Sequence, residues 1–312
     1  DDRESNRHTP ERIGAHTTQA ALRWLQNAPH DRPFLLWVHY QDPHGPYTPP
    51  REYQSAFLDE SAKGDLLRVT DSVKGQGGIP SYQMLEHHRE RGYYVAQYDA
   101  EILYYDQCLH DLVDGLRSGG WWDSSLVVWT SDHGEGMGEH EYYFAHGDYL
   151  YPSQLRVPLG LWGKGVAPGV VDSTLAQSSD IVPTVLAAAG IEPRIPLPGR
   201  NLLAPGGAPS GPHRPVPADA MIFSETLASD NYKAALTSPA LQLVYDQFNA
   251  DYQPYDPATD VFLDPDSLSG SIDLAKVTAR LEELRNKNAS RSSGHGMSDQ
   301  EAELMKSLGY IN

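Results

Sequence analysis

Apolar residues along this chain fall into runs of two kinds, and the kinds alternate. From Pro33 to Tyr40 they are nearly continuous (Pro-Phe-Leu-Leu-Trp-Val-His-Tyr), as in a central parallel strand buried on both faces. Leu126-Val127-Val128-Trp129-Thr130-Ser131 and Arg156-Val157-Pro158-Leu159-Gly160-Leu161-Trp162 also read as strands. Elsewhere the period lengthens. Tyr98, Ile102, Tyr105, Leu109, Leu112 and Leu116 step by fours and threes, which predicts one face of a helix over about 83–117, closed by Gly119-Gly120. Thr9-Pro10-Glu11, followed by Ile13, Ala20, Ala21, Leu22 and Leu25, predicts a helix with Pro near its start and acid in its first turn. Asp180 reads as the N-cap of another, with Pro183 early, Ile181, Val185, Leu186 and Ala189 apolar, and Gly190 closing it.

Strands alternating with helices predict an α/β domain. The pattern changes after a Pro/Gly-rich stretch over 193–217. Three short strand-like runs follow, Ala220–Phe223, Tyr232–Leu236 and Leu241–Tyr245, then two helices over about 272–286 and 298–307. These predict a small antiparallel sheet with a packed helix. The expected division is 1–205 and 206–312. Residues 45–83 are rich in Pro, Gly and Ser, and a loop that long beside candidate chemistry is more often functional than idle.

Charge narrows the function. The formal net charge of −18 argues against a nucleic-acid surface, because phosphate recognition needs clustered Lys and Arg. An anionic substrate would need local positive charge, from a metal or His, against that field. No run approaches the roughly 18 apolar residues of a membrane span. The single cysteine, Cys108, allows no intrachain disulfide, and its place on the helical pattern is that of a small core residue. The chain opens Asp-Asp-Arg-Glu, which reads as the edge of a fragment or of a processed chain. Asn288-Ala289-Ser290 fits a glycosylation sequon.

The chemistry concentrates after two of the strands. Asp132-His133-Gly134-Glu135 follows the Leu126 strand, and a carboxylate beside an imidazole at a strand end suits a divalent cation. An Asp capping a turn beside a solvent-exposed His has the same spelling. Asp42-Pro43-His44-Gly45-Pro46-Tyr47 follows the Pro33 strand. Pro43 and Pro46 bracket His44 in a stiff loop, which suits an imidazole that binds an anionic oxygen or acts as general acid. His146-Gly147 lies in a Gly- and aromatic-rich loop and offers a second cationic or proton-donating group; His140 in the same loop reads as structural. No Gly-x-Ser-x-Gly elbow surrounds Ser131.

These segments, in this order, resemble the sulfatase family. Pro33–Tyr47 is similar to its Pro-Phe-Phe-Leu…Asp-Pro-His-x-Pro-Tyr segment, and Thr130–Glu135 with Gly138-Glu139-His140 is similar to its second metal-binding segment. His146-Gly147, Leu150-Tyr151 and Leu155–Leu159 look like the next block; Asp180–Thr184 and Ala189-Gly190-Ile191 look like the one after; and Leu308-Gly309-Tyr310 resembles the tail of many bacterial members. The resemblance implies an alkaline-phosphatase-like mixed sheet flanked by helices, with a small C-terminal antiparallel sheet plus helix. It implies Asp132 and His133 as ligands of a divalent metal, most plainly Ca²⁺. It gives His44 the role of substrate-binding histidine, and His146 a place near one where many members use Lys. Many sulfatases have Asn where His133 stands; His there also occurs in related phosphonate and phosphodiester hydrolases.

The resemblance places two tandem acidic ligands and a Cys (or Ser)-x-Pro-x-Arg segment, the source of formylglycine, in a first half that this chain is expected to lack. Cys108 has neither Pro nor Arg at the needed offsets. The expectation is therefore a hydrolase of sulfate monoesters, present as a portion that is inactive alone. Its substrate would be a sulfated small molecule or carbohydrate, and its location periplasmic or secreted. The alternatives are a phosphonate or phosphodiester hydrolase on the same scaffold, and a non-catalytic chain that binds metal or sugar.

Overall fold

The computed structural model describes residues 12–59, 62–71, 74–203, 221–228, 231–268 and 272–292. The expected helix start at Thr9-Pro10-Glu11, the 205/206 boundary, the helix over 298–307, the Leu308-Gly309-Tyr310 tail and the side chains of the sequon lie outside these residues. The chain divides into two compact units. One comprises the described residues of Asp1–Gly147 and Ser153–Pro215; the other comprises those of Asp148–Pro152 and Val216–Asn312.

In the first unit, α1 (Gly14–Gln26) packs against α2 (Arg91–Ser118). Ala21, Leu25 and Ala28 meet Leu112, Leu116 and Trp121 in one apolar cluster. Phe34, Leu36, Val38 and Tyr40 pack onto that cluster. The Pro33–Tyr40 run is thus extended, but it departs from the expectation of a central strand. It belongs to no sheet among the described residues, and its other face is bare, with Leu35 76% and Trp37 78% exposed. One face is covered by helices and none by a neighbouring strand, so the continuous apolar spelling overstates the burial.

The face of α2 also departs from the apolar stripe. Tyr94, Gln97, Glu101, Tyr104, Cys108, Leu112 and Leu116 are buried, while Ile102 and Leu103 are exposed. The reason is polar. The Glu101 carboxylate accepts the Thr48 N–H at 2.7 Å, and the Gln97 amide donates to the Gln54 carbonyl at 2.9 Å. Both bonds tie the loop after His44 to the helix, and they turn two hydrophilic positions inward.

β1 (Val69–Thr70) and β2 (Ile79–Pro80) form a short parallel pair, and β3 (Leu126–Thr130) pairs with β6 (Leu159–Gly163). The β3–β6 pair is antiparallel, with Val128 opposite Leu161. Between them lie the small hairpin β4 (Gly136–Met137) and β5 (Tyr143–Ala145), and the helical turn α3 (Pro152–Leu155). Helix α4 (Ile181–Ala188) follows β6. A second cluster of Tyr47, Ile79, Leu85, Tyr94 and Phe144 fixes the 45–85 loop from below.

The second unit is a five-stranded antiparallel sheet in the order β11-β10-β9-β8-β7. Its strands are β7 (Ile222–Ala228), β8 (Asn231–Thr237), β9 (Gln242–Asp246), β10 (Asp251–Asp256) and β11 (Val261–Phe262). Helix α5 (Leu274–Ser292) packs on it through Val277 and Leu281, which meet Ala234, Leu236, Leu241 and Leu243. Full burial of a side chain such as Leu281 contributes about 1.5–3 kcal/mol. β10 and β11 are additional to the three expected strands. Pro254 inside β10 removes a ladder donor, which argues against a strand when only the spelling is read.

Candidate active site

Two loops build the site, both in the first unit. The first follows the Pro33–Tyr40 segment. Asp42 is buried, and the His44 N–H donates to the Gln41 carbonyl at 2.6 Å, closing a turn around Pro43. The Asp42–Pro43 and Gly45–Pro46 peptides are cis. A Cβ on Gly45 would meet the Gln83 amide nitrogen at 1.9 Å, and buried Gln83 is itself held by its bond to the Phe144 carbonyl at 2.9 Å. The first residue of α1 lies over the other side. A Cβ on Gly14 would come within 3.1 Å of Asp42 Oδ2, so the carboxylate lies by the positive end of that helix.

The second loop leaves β3. The Gly134 N–H donates to the Gln154 carbonyl at 2.7 Å, and a Cβ there would lie 2.1 Å from the Ser153 carbonyl oxygen. Only glycine lets the turn approach α3 this closely. The His133 N–H donates to Asp132 Oδ1 at 3.0 Å, and the Ser131 hydroxyl donates to the His133 carbonyl at 2.8 Å. His133 Nδ1 lies 2.8 Å from the Gly134 carbonyl oxygen, which places the proton on Nδ1. Nε2, 3.7 Å from Asp132 Oδ2, keeps the lone pair. Burial, and then the neighbouring His146, lower the His133 pKa, so the ring favours its neutral form.

The loops converge. One cleft is lined by His39 to His44, by Tyr98, and by Ser131 to Glu135. His44, Asp132 and His133, read from separate segments of sequence, are brought together here. His146, just after β5, joins them: its ring stacks on His133 at 3.7 Å between centroids and meets His44 edge-on at 5.4 Å. His140 is not among the lining residues and takes a left-handed φ of 55°. Three residues to which the sequence alone assigns no role in the site are part of the assembly. Glu135 contacts both Tyr47 and His146, Gln83 backs the His44 loop, and Tyr98 lines the wall.

The donor set is incomplete for a cation. Among the described residues no group of three or more His, Cys, Asp or Glu is arranged to hold a metal ion. Asp132 and His133 supply one carboxylate and one imidazole, whereas Ca²⁺ takes about six to eight oxygens. The described residues alone do not fit a closed Ca²⁺ shell. Cys108 is no nucleophile candidate: it is buried on α2, and desolvation pushes its thiol pKa up. The expectation that the chain holds no Ser-x-Pro-x-Arg spelling needs one correction. Ser210-Gly211-Pro212-His213-Arg214 has that spacing. It lies outside the described residues, in the Pro/Gly-rich stretch rather than after a strand-like run.

Comparison with known proteins gives a consistent picture. A family model described as Sulfatase matches residues 4–191. The uncharacterized sulfatase YidJ of Escherichia coli (strain K12) is 31% identical over 201 residues, which is 59% of this chain and 37% of that protein. The chain thus spans well under half the length of this relative. Among solved structures, one of a protein in complex with its substrate D-glucosamine-2-N,6-O-disulfate superposes with a TM-score of 0.65, covering 90% of this chain and 70% of the other at 19% identity. The phosphonate monoester hydrolase of Silicibacter pomeroyi superposes with a TM-score of 0.61, covering 93% and 64% at 20% identity. At these identities the superpositions speak for the fold.

Proposed function

Because this chain belongs to the sulfatase family and has its alkaline-phosphatase-like α/β fold, we propose that it serves the hydrolysis of sulfate monoesters, with the sulfuryl group bound in the cleft between His44 and Asp132-His133. The observation that carries the reading is the convergence of His44, Asp132, His133 and His146 from distant segments. In this reading His44 donates to the ester and returns a proton to the leaving oxygen. His146 offers a second donor to the anion. Asp132 and His133 are two ligands of a divalent cation, Ca²⁺ by family, whose other ligands come from outside the described residues. Such a cation neutralises sulfuryl charge when bound. The nucleophile, a formylglycine by family, also has its place outside them.

A sulfated sugar or other small sulfate ester fits this reading, in line with the disulfated glucosamine named as substrate of the structural neighbour. A periplasmic or secreted location accords with the family; among the described residues no helix is long and apolar enough to cross a membrane. A phosphonate or phosphodiester hydrolase is the second reading, favoured by the likeness to the Silicibacter pomeroyi enzyme.

The test is a panel of aryl sulfate, phosphodiester and phosphonate monoester, given to this chain and to the full-length natural polypeptide. Sulfate release by the natural polypeptide should fall about 10²–10⁴-fold in His44→Ala. Preference for the phosphonate would install the second reading; release indifferent to His44→Ala would end both. The isolated chain should show no turnover, unaffected by Cys108→Ala, and only weak Ca²⁺ binding by calorimetry. Tight stoichiometric binding lost in Asp132→Ala would mean that the cation site is complete here.

A further inference from the structure

One buried carboxylate has two hydrogen-bonding arms in this cleft. Glu135 Oε2 accepts the Tyr47 hydroxyl at 3.0 Å, and Oε1 lies 3.3 Å from His146 Nδ1. The Glu135 side chain is 6% exposed and that of His146 21%. Tyr47 is fully buried, and desolvation pushes its phenol well above its ordinary range, so it remains a donor.

We propose that Glu135 is a positioning residue, which holds the His146 imidazole with Nδ1 turned to the carboxylate and so leaves Nε2 for the cleft, where it donates to an anionic oxygen when the ring is an imidazolium. The inference rests on the ester-binding reading for what Nε2 meets, but not for the geometry itself. Oε2 already takes the Tyr47 hydroxyl, and Oε1 faces the ring as an acceptor, so the imidazole nitrogen turned to it is the one that carries the proton. Stacking on His133 resists a ring flip, which would swap that N–H for a carbon and leave a buried acceptor short of a partner. The two stacked rings are then tied back in the same manner. His133 gives Nδ1–H to the Gly134 carbonyl, His146 gives Nδ1–H to Glu135, and both keep Nε2. Tyr47 belongs to the same Asp-Pro-His-Gly-Pro-Tyr segment as His44. The Glu135 carboxylate therefore couples the loop of one histidine to the ring of another.

The experiment is long-range ¹H–¹⁵N correlation of histidine rings in the ¹⁵N-labelled chain, with His146 assigned by the loss of its signals in His146→Gln. The parent should show His146 with a protonated Nδ1 whose hydrogen-bonded proton resonates downfield. In Glu135→Gln, which keeps the shape but loses the charge, the Nδ1–H signal should move upfield. An unmoved signal in the folded variant overturns the proposal, even if thermal stability drops, because a merely structural Glu135 would lower stability alone. Should Glu135→Gln fail to fold, Tyr47→Phe leaves the carboxylate to the imidazole alone. The same signal should then move downfield, and its constancy would equally overturn the proposal. Inorganic sulfate titrated into the same sample separates the two claims: no sulfate-induced shift beside an intact Nδ1–H signal counts against the ester reading and spares the role of Glu135.

Discussion

Gly134 shows how a missing side chain sets the geometry of the cleft. The atom that an added Cβ would strike, the Ser153 carbonyl oxygen at 2.1 Å, is backbone and cannot rotate away. Gly134→Ala should cost about 1–3 kcal/mol in denaturant unfolding, the usual range for overpacking, and should displace His133 from its bond to the Gly134 carbonyl. Equal midpoints for parent and variant would show that the turn has slack. Asp132, His133 and His44 were legible as letters because each lies in a short local motif after an apolar run. The partner of Glu135 was not. Tyr47 is 88 residues away, and nothing in either neighbourhood announces the pairing.

Among the elements, β8 and β9 carry a cross-strand ion pair that tests how the second unit is held. Lys233 is 5% exposed, its ammonium lies 3.7 Å from Asp246 Oδ2, and it also stands over the Tyr149 ring. Breaking a buried pair by removing one member costs about 3–5 kcal/mol, because the other charge is left behind. Lys233→Ala should fall in that range by denaturant unfolding, and Lys233→Ala/Asp246→Ala should recover part of the loss. A single variant within about 0.5 kcal/mol of the parent, the scale of ordinary surface changes, would mean that water already compensates Asp246. Elements were unevenly legible for physical reasons. β3, β6, α4 and three strands of the second sheet follow from their apolar runs. The inward face of α2 does not, since Gln97 and Glu101 are turned in by hydrogen bonds to a distant loop. β10 hides behind Pro254, and the Pro33–Tyr40 run looks two-sided although only one side is covered.

Across the whole molecule the buried and half-buried tyrosines set an alkaline limit. Desolvation, ahead of every other cause, pushes Tyr40, Tyr98 and Tyr255 up to about 12. These phenols hold their protons more firmly folded than unfolded. The stability they contribute is complete below about pH 10, the ordinary tyrosine value, and is lost as pH rises through the folded values. Melting temperature should fall from pH 10 upward, with phenolate absorbance rising in step with unfolding. Smooth ionisation of every tyrosine near pH 10 in the folded protein would contradict this. At this scale the α/β class and the small antiparallel sheet with its helix were readable from the alternation of periods. The Pro33–Tyr40 segment gives the molecule one more property, an optical one. Trp37 is 78% exposed, whereas Trp121 is 7% exposed within the α1–α2 cluster. The Trp37 indole should emit at long wavelength and be quenched freely by acrylamide, and Trp37→Phe should remove the most readily quenched part of the signal, leaving that of the less exposed Trp24 and Trp162. Any strand that comes to lie along that segment would turn the emission blue, so the chain carries its own fluorescent gauge of whether that face is covered.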